Sequence, residues 1–412
     1  MRYVIIGNST AAVACIEAIR QKDEKGSITV ISSEPHHVYS RPLISYLLLG
    51  KTDRQKMKYR PDGFYKDHFV TVLYGRTAEK IDSDEKKVHL ENGETVDYDK
   101  LLVATGSRPF VPPIKGLDTV KNVHTFMSLD DALALEQAIG PDSRVLILGA
   151  GLIGLKCAEG IAGKVAALHV VDMAGRILPS ILDDAGAAMV QRHIEQSANV
   201  TFHLSQSIER LEANAAHLTG GDALKFDALV IAVGVRANVN LVKEAGGEVN
   251  QGILIDTTCR TSLPDVYAAG DCTEGYDSTI GSNRVLALLP NAYRQGETAG
   301  LNMAGEKARY DCAIPMNAIG FFGLHMITAG GYEGECYAAC EDGDGYKKLF
   351  YKGDRLLGYI MIGDVAKAGI YTALIRERTP LSSIDFELIC QQPSLMAFSR
   401  AERKVMLGGT AV

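Results

Sequence analysis

Two segments of the chain share one order of residue types: an apolar run, a turn of small residues, and an acidic residue further on. The first has its turn at 7–12 and its acid at Glu34, and the second has its turn at 149–154 and its acid at Asp172. A small-residue turn that opens a helix lets backbone N–H groups approach a pyrophosphate, and the acid accepts hydrogen bonds from a ribose. From turn to acid is 22 residues (12 to 34) in one segment and 18 (154 to 172) in the other, close to the ~20 of dinucleotide sites. The sequence therefore predicts two such sites.

The two turns match the dinucleotide pattern to different degrees. The second reads Gly-Ala-Gly-Leu-Ile-Gly and is complete, whereas the first has Ser9 and Ala12 where glycines are usual. The residues predicted to bind the two nucleotides are Gly7, Ser9, Thr10, Ala11, Ala12 and Glu34 in the first segment, and Gly149, Gly151, Leu152, Ile153, Gly154 and Asp172 in the second.

Asp172 bears on the choice of nicotinamide nucleotide. A carboxylate beside the adenine ribose accepts hydrogen bonds from its hydroxyls and repels a 2′-phosphate, so this position favours NADH over NADPH. Arg176 is close enough in the chain to soften that preference.

Three further strand-like runs also end in turns that contain glycine. Residues 99–109 form a strand-like run that ends in a turn at Ala104, Thr105 and Gly106, and residues 227–236 echo it with a turn at Gly234. A third run, 261–272, ends at Gly270 and Asp271.

Length and composition set the limits. A chain of 412 residues is long for one core of ~100–200 residues, so two or three domains are expected. Its net charge of −7 argues against nucleic acid as a partner. The absence of an apolar run of about 18 residues and of a cationic leader indicates a cytoplasmic protein that does not enter a membrane. The eight cysteines lack the spacing of a metal site, so we expect no metal.

Each dinucleotide segment reads as a strand, a turn, a helix and a second strand, which is a βαβ unit. The expected fold class is α/β, with two Rossmann-like domains followed by a C-terminal α+β domain.

Taken together, these motifs resemble the pyridine nucleotide–disulfide oxidoreductase superfamily. Within it, the chain is similar to NADH-dependent rubredoxin and ferredoxin reductases and to the flavin portions of nitrite reductases. The resemblance covers roughly residues 1–310. It implies an FAD domain formed by 1–112 and 237–308, an inserted NAD(H) domain at 113–236, and a C-terminal domain at 309–412 that forms a homodimer interface in many relatives.

The resemblance also implies roles for individual residues. Asp271 is expected on the ribityl chain of FAD, Arg41 and Pro42 near the cofactor, and the helix after Pro290 with its N-terminus toward the flavin ring. The remaining residues expected to contact FAD or to frame the two sites are Ala104, Thr105, Gly106, Arg108, Gly234, Gly270, Asn291 and Ala292.

One residue type is missing where disulfide-using relatives need it. Those relatives carry redox cysteines on the helix near Arg41, but no cysteine lies between Cys15 and Cys157. Dithiol reductases, thiol peroxidases and CoA-disulfide reductases would lack their nucleophile here.

A second departure concerns the place where nicotinamide lies against the flavin. Many relatives carry a glutamate two residues after the last turn glycine, paired with a lysine on the first flavin-side helix. Here those positions hold Lys156 and Tyr46, which indicates a different charge arrangement around hydride transfer. The alternative is that Lys156 turns toward solvent.

The predicted activity is electron transfer from NADH through FAD to an external carrier protein of the rubredoxin or ferredoxin type, which holds iron and sulfur. Two alternatives stay open: an NADH oxidase that reduces dioxygen directly, and a redox-sensing or scaffold flavoprotein of the apoptosis-inducing type. A fold alone does not choose among acceptors.

Overall fold

The computed structural model describes residues 1–341, 345–399 and 403, and at 338–341 it describes the backbone alone. The chain forms two compact units. Unit 1 comprises 1–179, 194–276 and 282–311, and unit 2 comprises 180–193, 277–281 and the described residues from 312 onward. Cys340 has its side chain outside the described part.

The strands follow one another along the whole chain. In chain order they are β1 (Arg2–Ile6), β2 (Ser27–Ser32), β3 (Val70–Tyr74), β4 (Ala78–Asp82), β5 (Lys87–Leu90), β6 (Thr95–Asp97), β7 (Lys100–Val103), β8 (Ser107–Pro109), β9 (Val123–His124), β10 (Arg144–Leu148), β11 (Ala167–Asp172), β12 (Val200–Leu204), β13 (Ile208–Glu212), β14 (Ala215–Leu218), β15 (Ala223–Lys225), β16 (Ala228–Ile231), β17 (Val235–Ala237), β18 (Ile253–Leu254), β19 (Val266–Ala268), β20 (Thr273–Asp277), β21 (Ser282–Arg284), β22 (Met316–Phe321), β23 (Leu324–Gly330), β24 (Glu335–Glu341), β25 (Gly345–Lys352) and β26 (Arg355–Ile362).

The helices lie between these strands and after them. They are α1 (Thr10–Arg20), α2 (Ile44–Leu48), α3 (Phe64–Asp67), α4 (Leu129–Ala138), α5 (Leu152–Ile161), α6 (Asp184–Ser197), α7 (Asn240–Glu244), α8 (Leu289–Met303), α9 (Ala368–Glu377) and α10 (Phe386–Gln391). Short 3₁₀ turns occupy Arg41–Leu43, Leu117–Thr119, Ala162–Lys164, Leu381–Ser383 and Leu395–Ala397.

Unit 1 contains the same supersecondary plan twice. One parallel sheet has the strand order β19-β7-β1-β2-β3, and the other has β12-β11-β10-β16-β9. In each copy a three-stranded antiparallel sheet, β4-β5-β6 or β13-β14-β15, is inserted before the strand that returns to the parallel sheet. The prediction of two Rossmann-like βαβ units is confirmed, and so is the α/β fold class.

The central strands form because their residues are apolar on both faces. In β1 the residues after Arg2 are buried without alternation, and β10 has the same pattern after Arg144. A continuous apolar run is typical of parallel strands that are covered on both faces by helices.

Helix α8 covers the first parallel sheet by packing closely against α1. A Cβ atom on Gly296 would lie 2.1 Å from the carbonyl oxygen of Ala11, and one on Gly300 would lie 2.6 Å from the carbonyl oxygen of Cys15. Real Cβ atoms do not approach so closely, so the two helices meet backbone to backbone through glycines four residues apart.

Unit 2 is built on an antiparallel sheet with the strand order β22-β23-β26-β25-β24. Leu349, Tyr359 and Tyr371 are fully buried in its core. The hydroxyl of Tyr371 donates to the carbonyl oxygen of Ile389 at 2.7 Å, which joins α9 to α10. The C-terminal α+β fold is confirmed. No helix among the described residues is long and apolar enough to cross a membrane.

Gly296→Ala is expected to destabilise the protein by about 1–3 kcal/mol, because the added methyl group would collide with α1. The free energy of unfolding from urea titration measures the effect. Gly163→Ala is the matched control, since a Cβ there would meet nothing within 4 Å. Equal stabilities of the two variants would contradict the close helix contact.

Candidate functional site

A cavity of about 670 Å³ opens at the carboxyl ends of the strands of the first parallel sheet. Its volume lies within the ~300–1,000 Å³ typical of small-molecule and cofactor sites. The predicted site residues that line it are Gly7, Ser9, Thr10, Ala11, Glu34, Arg41, Ala104, Thr105, Gly106, Arg108, Gly270, Asp271 and Ala292. The fold therefore brings five separate stretches of sequence to one site.

Three predicted FAD-site residues lie elsewhere. Ala12 is fully buried inside α1, and Pro42 is exposed in the 3₁₀ turn. Asn291 is buried in the first turn of α8, where its Oδ1 accepts a hydrogen bond from the hydroxyl of Tyr310 at 2.7 Å. None of these three residues lines the cavity.

The first residue of each small-residue turn requires glycine. Gly7 has φ +112°, and a Cβ there would lie 2.1 Å from the carbonyl oxygen of Ala104. Gly149 has φ +113°, and its Cβ would lie 2.4 Å from the carbonyl oxygen of Ala232. At its first residue, the degenerate first turn therefore keeps the backbone geometry of the complete second turn.

The turn after Gly7 also presents an amide donor that sequence reasoning missed. Asn8 lines the cavity, and its Oδ1 accepts a hydrogen bond from the hydroxyl of Tyr65 at 2.5 Å. Its Nδ2 is buried without a hydrogen-bond partner in the part of the chain that the structure describes. A buried donor in this state costs free energy, so it suits a ligand that supplies an acceptor. A polar residue inside the turn was the only signal for it in the sequence.

Glu34 belongs to a network with an aromatic ring. Its Oε1 forms an ion pair with Arg41, and its Oε2 accepts a hydrogen bond from the hydroxyl of Tyr39 at 2.7 Å. The guanidinium carbon of Arg41 lies 5.3 Å from the centre of the Tyr39 ring. Burial raises the pKa of Tyr39, so its hydroxyl stays protonated and donates. Tyr39 lines the cavity but was not among the predicted residues.

Asp271 holds its carboxylate at the cavity wall. Ser107 Oγ donates to its Oδ2 at 3.4 Å, and burial raises the pKa of the carboxyl group, against the effects of Ser107 and Arg41. The preceding Gly270 has φ +86°, and its N–H donates to Gln295 Oε1 at 2.8 Å. The strand-to-turn motif is thus anchored to α8.

The second turn is fixed by its acid. Asp172 Oδ2 accepts a hydrogen bond from the N–H of Ala150 at 2.7 Å, and Oδ1 accepts one from the N–H of Ala174 at 2.8 Å. A Cβ on Gly151 would meet nothing within 4 Å, so the backbone is open there, whereas one on Gly154 would lie 2.0 Å from the carbonyl oxygen of Gly149. The open glycine suits the approach of a phosphate, and the closed one suits close helix packing. α5 begins within this motif, at Leu152 and Ile153.

Two short strands connect the halves of unit 1. β8 and β17 pair antiparallel, with Arg108 opposite Arg236. Gly234 precedes β17 at φ +108°, and its carbonyl oxygen accepts a hydrogen bond from the N–H of Phe110 at 2.9 Å. The predicted turns at Gly106 and Gly234 therefore lie beside the same pair of antiparallel strands.

Lys156 and Tyr46 are in direct contact. Lys156 Nζ lies 4.4 Å from the centre of the Tyr46 ring and forms an ion pair with Glu159. The side chain of Lys156 is 13% exposed and that of Glu159 is 6% exposed. The lysine is therefore directed into the protein and not toward solvent, and Glu159 is a partner that sequence reasoning missed.

No cysteine among the described residues lines the cavity. The nearest in sequence to a lining residue, Cys272, is buried, and burial raises the pKa of its thiol to about 11. Within the same residues, no group of three or more histidine, cysteine, aspartate or glutamate side chains is arranged to hold a metal ion.

The residues of the cavity fit a dinucleotide. The first turn of α1 has no side-chain cap at Ser9, Asn8 offers an amide donor, and Glu34 and Asp271 offer carboxylates at separate points of the wall. N–H donors at a helix N-terminus bind phosphate, and carboxylates accept hydroxyl groups. The arrangement suits one elongated ligand with a pyrophosphate and polyhydroxyl parts.

Comparison with known proteins agrees with this geometry. The family model described as pyridine nucleotide-disulphide oxidoreductase matches residues 1–296. The chain is 33% identical over 395 residues to the NADH-dependent phenylglyoxylate dehydrogenase subunit epsilon of Aromatoleum evansii, a match that covers 93% of each chain.

A second relative is longer than this chain. The assimilatory nitrate reductase electron transfer subunit of Bacillus subtilis is 31% identical over 389 residues, which covers 92% of this chain and 49% of the relative. Among solved structures, the covalent putidaredoxin reductase–putidaredoxin complex contains a chain with the same fold, at a TM-score of 0.87 and 22% identity over 100% of this chain and 99% of the other.

Proposed function

This chain belongs to the pyridine nucleotide-disulphide oxidoreductase family, and we propose that it takes a hydride from NADH onto FAD and passes the electrons to a separate carrier protein. The enzyme is an FAD-dependent NADH oxidoreductase. The observation that carries the proposal is the cavity of unit 1, which gathers the dinucleotide residues and which no described cysteine lines. A thiol-based reaction needs a thiolate beside the flavin, whereas delivery to an external acceptor does not.

FAD, when bound, supplies the hydride and electron chemistry, and the protein supplies position and charge. We assign the pyrophosphate to the N-terminus of α1 and to the amide of Asn8, which lacks an acceptor within the described residues. Glu34 would bind the adenosine ribose, with Arg41 and Tyr39 holding its carboxylate in place. Asp271 would bind the ribityl hydroxyls.

We assign NADH to the turn 149–154. Gly151 is open to a phosphate, and Asp172 lies at the end of β11 where a ribose would reach it. Each oxygen of Asp172 already accepts one backbone N–H, which fixes the carboxylate and leaves further acceptor capacity for hydroxyl groups. Its charge would disfavour a 2′-phosphate.

The acceptor is proposed from the kind of relatives that the chain has. One is a subunit of an NADH-dependent dehydrogenase, and the other is called an electron transfer subunit. The second name describes electron transfer, and the first describes one subunit of a larger NADH-dependent enzyme, which supports a protein as the acceptor. We further propose that this carrier is of the iron–sulfur type.

Two finer proposals concern where the enzyme works and in what assembly. The described cysteines are unpaired, which fits a reducing compartment such as the cytoplasm. We further propose that the region 309–412 forms a homodimer interface, as in many members of the family.

The purified protein is expected to be yellow, with a flavin absorbance that NADH bleaches under anaerobic conditions. Asp271→Ala should weaken FAD retention, because a charge-assisted hydrogen bond of about 1.5–3 kcal/mol is lost. Flavin released per polypeptide after gel filtration measures this. A colourless protein that also fails to bind added FAD would contradict the proposed function.

NADH is expected to give a higher kcat/KM than NADPH. Asp172→Ser should lower the ratio of kcat/KM for NADH to that for NADPH by about 10-fold or more, because the variant loses both the carboxylate's hydrogen bond to the ribose and its repulsion of a 2′-phosphate. Initial rates with both nucleotides test this. If the wild-type enzyme prefers NADPH, Arg176 or another cation controls the pocket instead.

Anaerobic titration with NADH should end at one two-electron equivalent per flavin, because the described residues place no thiol at the cavity. Thiol alkylation should leave turnover with a one-electron acceptor nearly unchanged. Uptake of a second equivalent that alkylation abolishes would show that a thiol reaches the flavin. Oxygen consumption without a carrier, as fast as turnover with one, would favour the NADH oxidase alternative.

A further inference from the structure

Three side chains form a cluster where α2 meets α5: Tyr46 and Lys156, which are half-buried, and Glu159, which is buried. Lys156 and Glu159 form an ion pair three residues apart on α5, and Lys156 Nζ lies 4.4 Å from the centre of the Tyr46 ring on α2. The two charged side chains are 13% and 6% exposed. Charges so well shielded from water interact strongly with one another and fix the geometry of what carries them.

The cluster lies between the segments that build the two nucleotide sites. α5 begins at the end of the turn 149–154, and α2 directly follows the 3₁₀ turn whose Arg41 lines the cavity. One helical turn beyond Lys156, a Cβ on Gly160 would lie 3.2 Å from the carbonyl oxygen of Ser45, so the helices are in close backbone contact. A movement of α5 along α2 would therefore change the distance between the two sites.

A buried ion pair is a poor way to gain stability, because desolvation of both charges offsets their attraction and an apolar pair of equal volume is often as stable. A buried pair does fix the relative position of its two side chains, because separating them would leave a lone buried charge, which is strongly unfavourable. The aromatic ring adds a direction, because a cation prefers the face of the ring.

We propose that Glu159 is a positioning residue for hydride transfer. Its carboxylate holds the ammonium group of Lys156 against Tyr46, and through this contact it sets the position of the NADH-binding turn relative to the cavity. The inference rests on the proposed function and adds to it a residue that acts through Lys156.

A second lysine–glutamate pair provides a matched control. Lys164, just beyond α5, pairs with Glu136 on α4, and their side chains are 37% and 39% exposed. A half-exposed pair of this kind contributes little to stability, and neither of its residues lines the cavity. Glu136→Gln therefore makes the same chemical change in a lysine–glutamate pair that lies just beyond the C-terminal end of α5.

The experiment compares Glu159→Gln, Lys156→Met, Lys156→Arg and the double variant Lys156→Met/Glu159→Gln in the holoenzyme. Stopped-flow reduction of the flavin over a range of NADH concentrations separates the limiting rate from the apparent affinity. Flavin content and Tm are measured in parallel. A small displacement of reacting atoms costs about 10²-fold in rate, so a fall of about 10- to 100-fold in the limiting rate is expected for Glu159→Gln.

The pattern across variants identifies a positioning role. Flavin content should stay at the wild-type level, Glu136→Gln should keep the wild-type rate, and the double variant should be no slower than Glu159→Gln because the residues act as one unit. Lys156→Arg should recover much of the rate, since arginine also pairs with carboxylates and stacks on rings. Should Glu159→Gln fail to fold, the double variant, which removes both charges of the pair, gives the same measurement.

Two results would overturn the inference: a wild-type limiting rate in a flavin-containing Glu159→Gln or double variant, or losses that add in the double variant. A lowered Tm with an unchanged rate would show that the cluster serves folding alone. These outcomes differ from failure of the proposed function, in which the wild-type protein itself would hold no flavin or would not be reduced by NADH.

Discussion

The close passage of one strand end beside its neighbour is the constraint on which the rest of the structure depends. At Gly7 and again at Gly149 the backbone has a φ near +112°. The place where a side chain would lie is occupied by a carbonyl oxygen from the end of the neighbouring strand, that of Ala104 beside Gly7 and that of Ala232 beside Gly149. Only glycine satisfies both conditions. Because the first strand can end so close to its neighbour, the turns that follow both strands face one site, and the helix that begins there directs its free N–H groups into it.

The two copies of this plan meet the constraint in different ways. In the second copy the helix also packs closely on its own strand, because Gly154 lies against the carbonyl oxygen of Gly149. In the first copy alanine takes that place, and close packing instead occurs on another face of the helix, where Gly296 and Gly300 of α8 meet it. The first motif has two fewer glycines than the second, and its helix α1 instead meets two glycines of α8 that lie 285 residues later in the chain than the residues they contact.

Sequence reasoning succeeded where function depends on local order and failed where it depends on distant contacts. The strands and the two small-residue turns follow from apolar runs, small residues and the intervals between them, whereas Arg41 and Asp271 were expected from the family resemblance. Tyr39, Asn8 and Glu159 could not be found in this way, because each is singled out by a contact that only the folded chain forms. The role of Lys156 was left open for the same reason: its direction is set by Tyr46, more than a hundred residues earlier.

The segment 39–46 shows how these distant contacts combine. It carries a tyrosine at each end, and each ring is approached by a cation that is paired with a glutamate: Arg41 with Glu34 at Tyr39, and Lys156 with Glu159 at Tyr46. One arrangement borders the cavity, and the other borders the helix that begins at the second turn. A cation that contacts both a ring face and a carboxylate would lose these contacts if its side chain rotated away. Both ends of the segment are therefore tied to other parts of unit 1, one at the wall of the cavity and the other at α5. Such ties bear on hydride transfer, because the reacting atoms must stay within about 3–3.5 Å of one another.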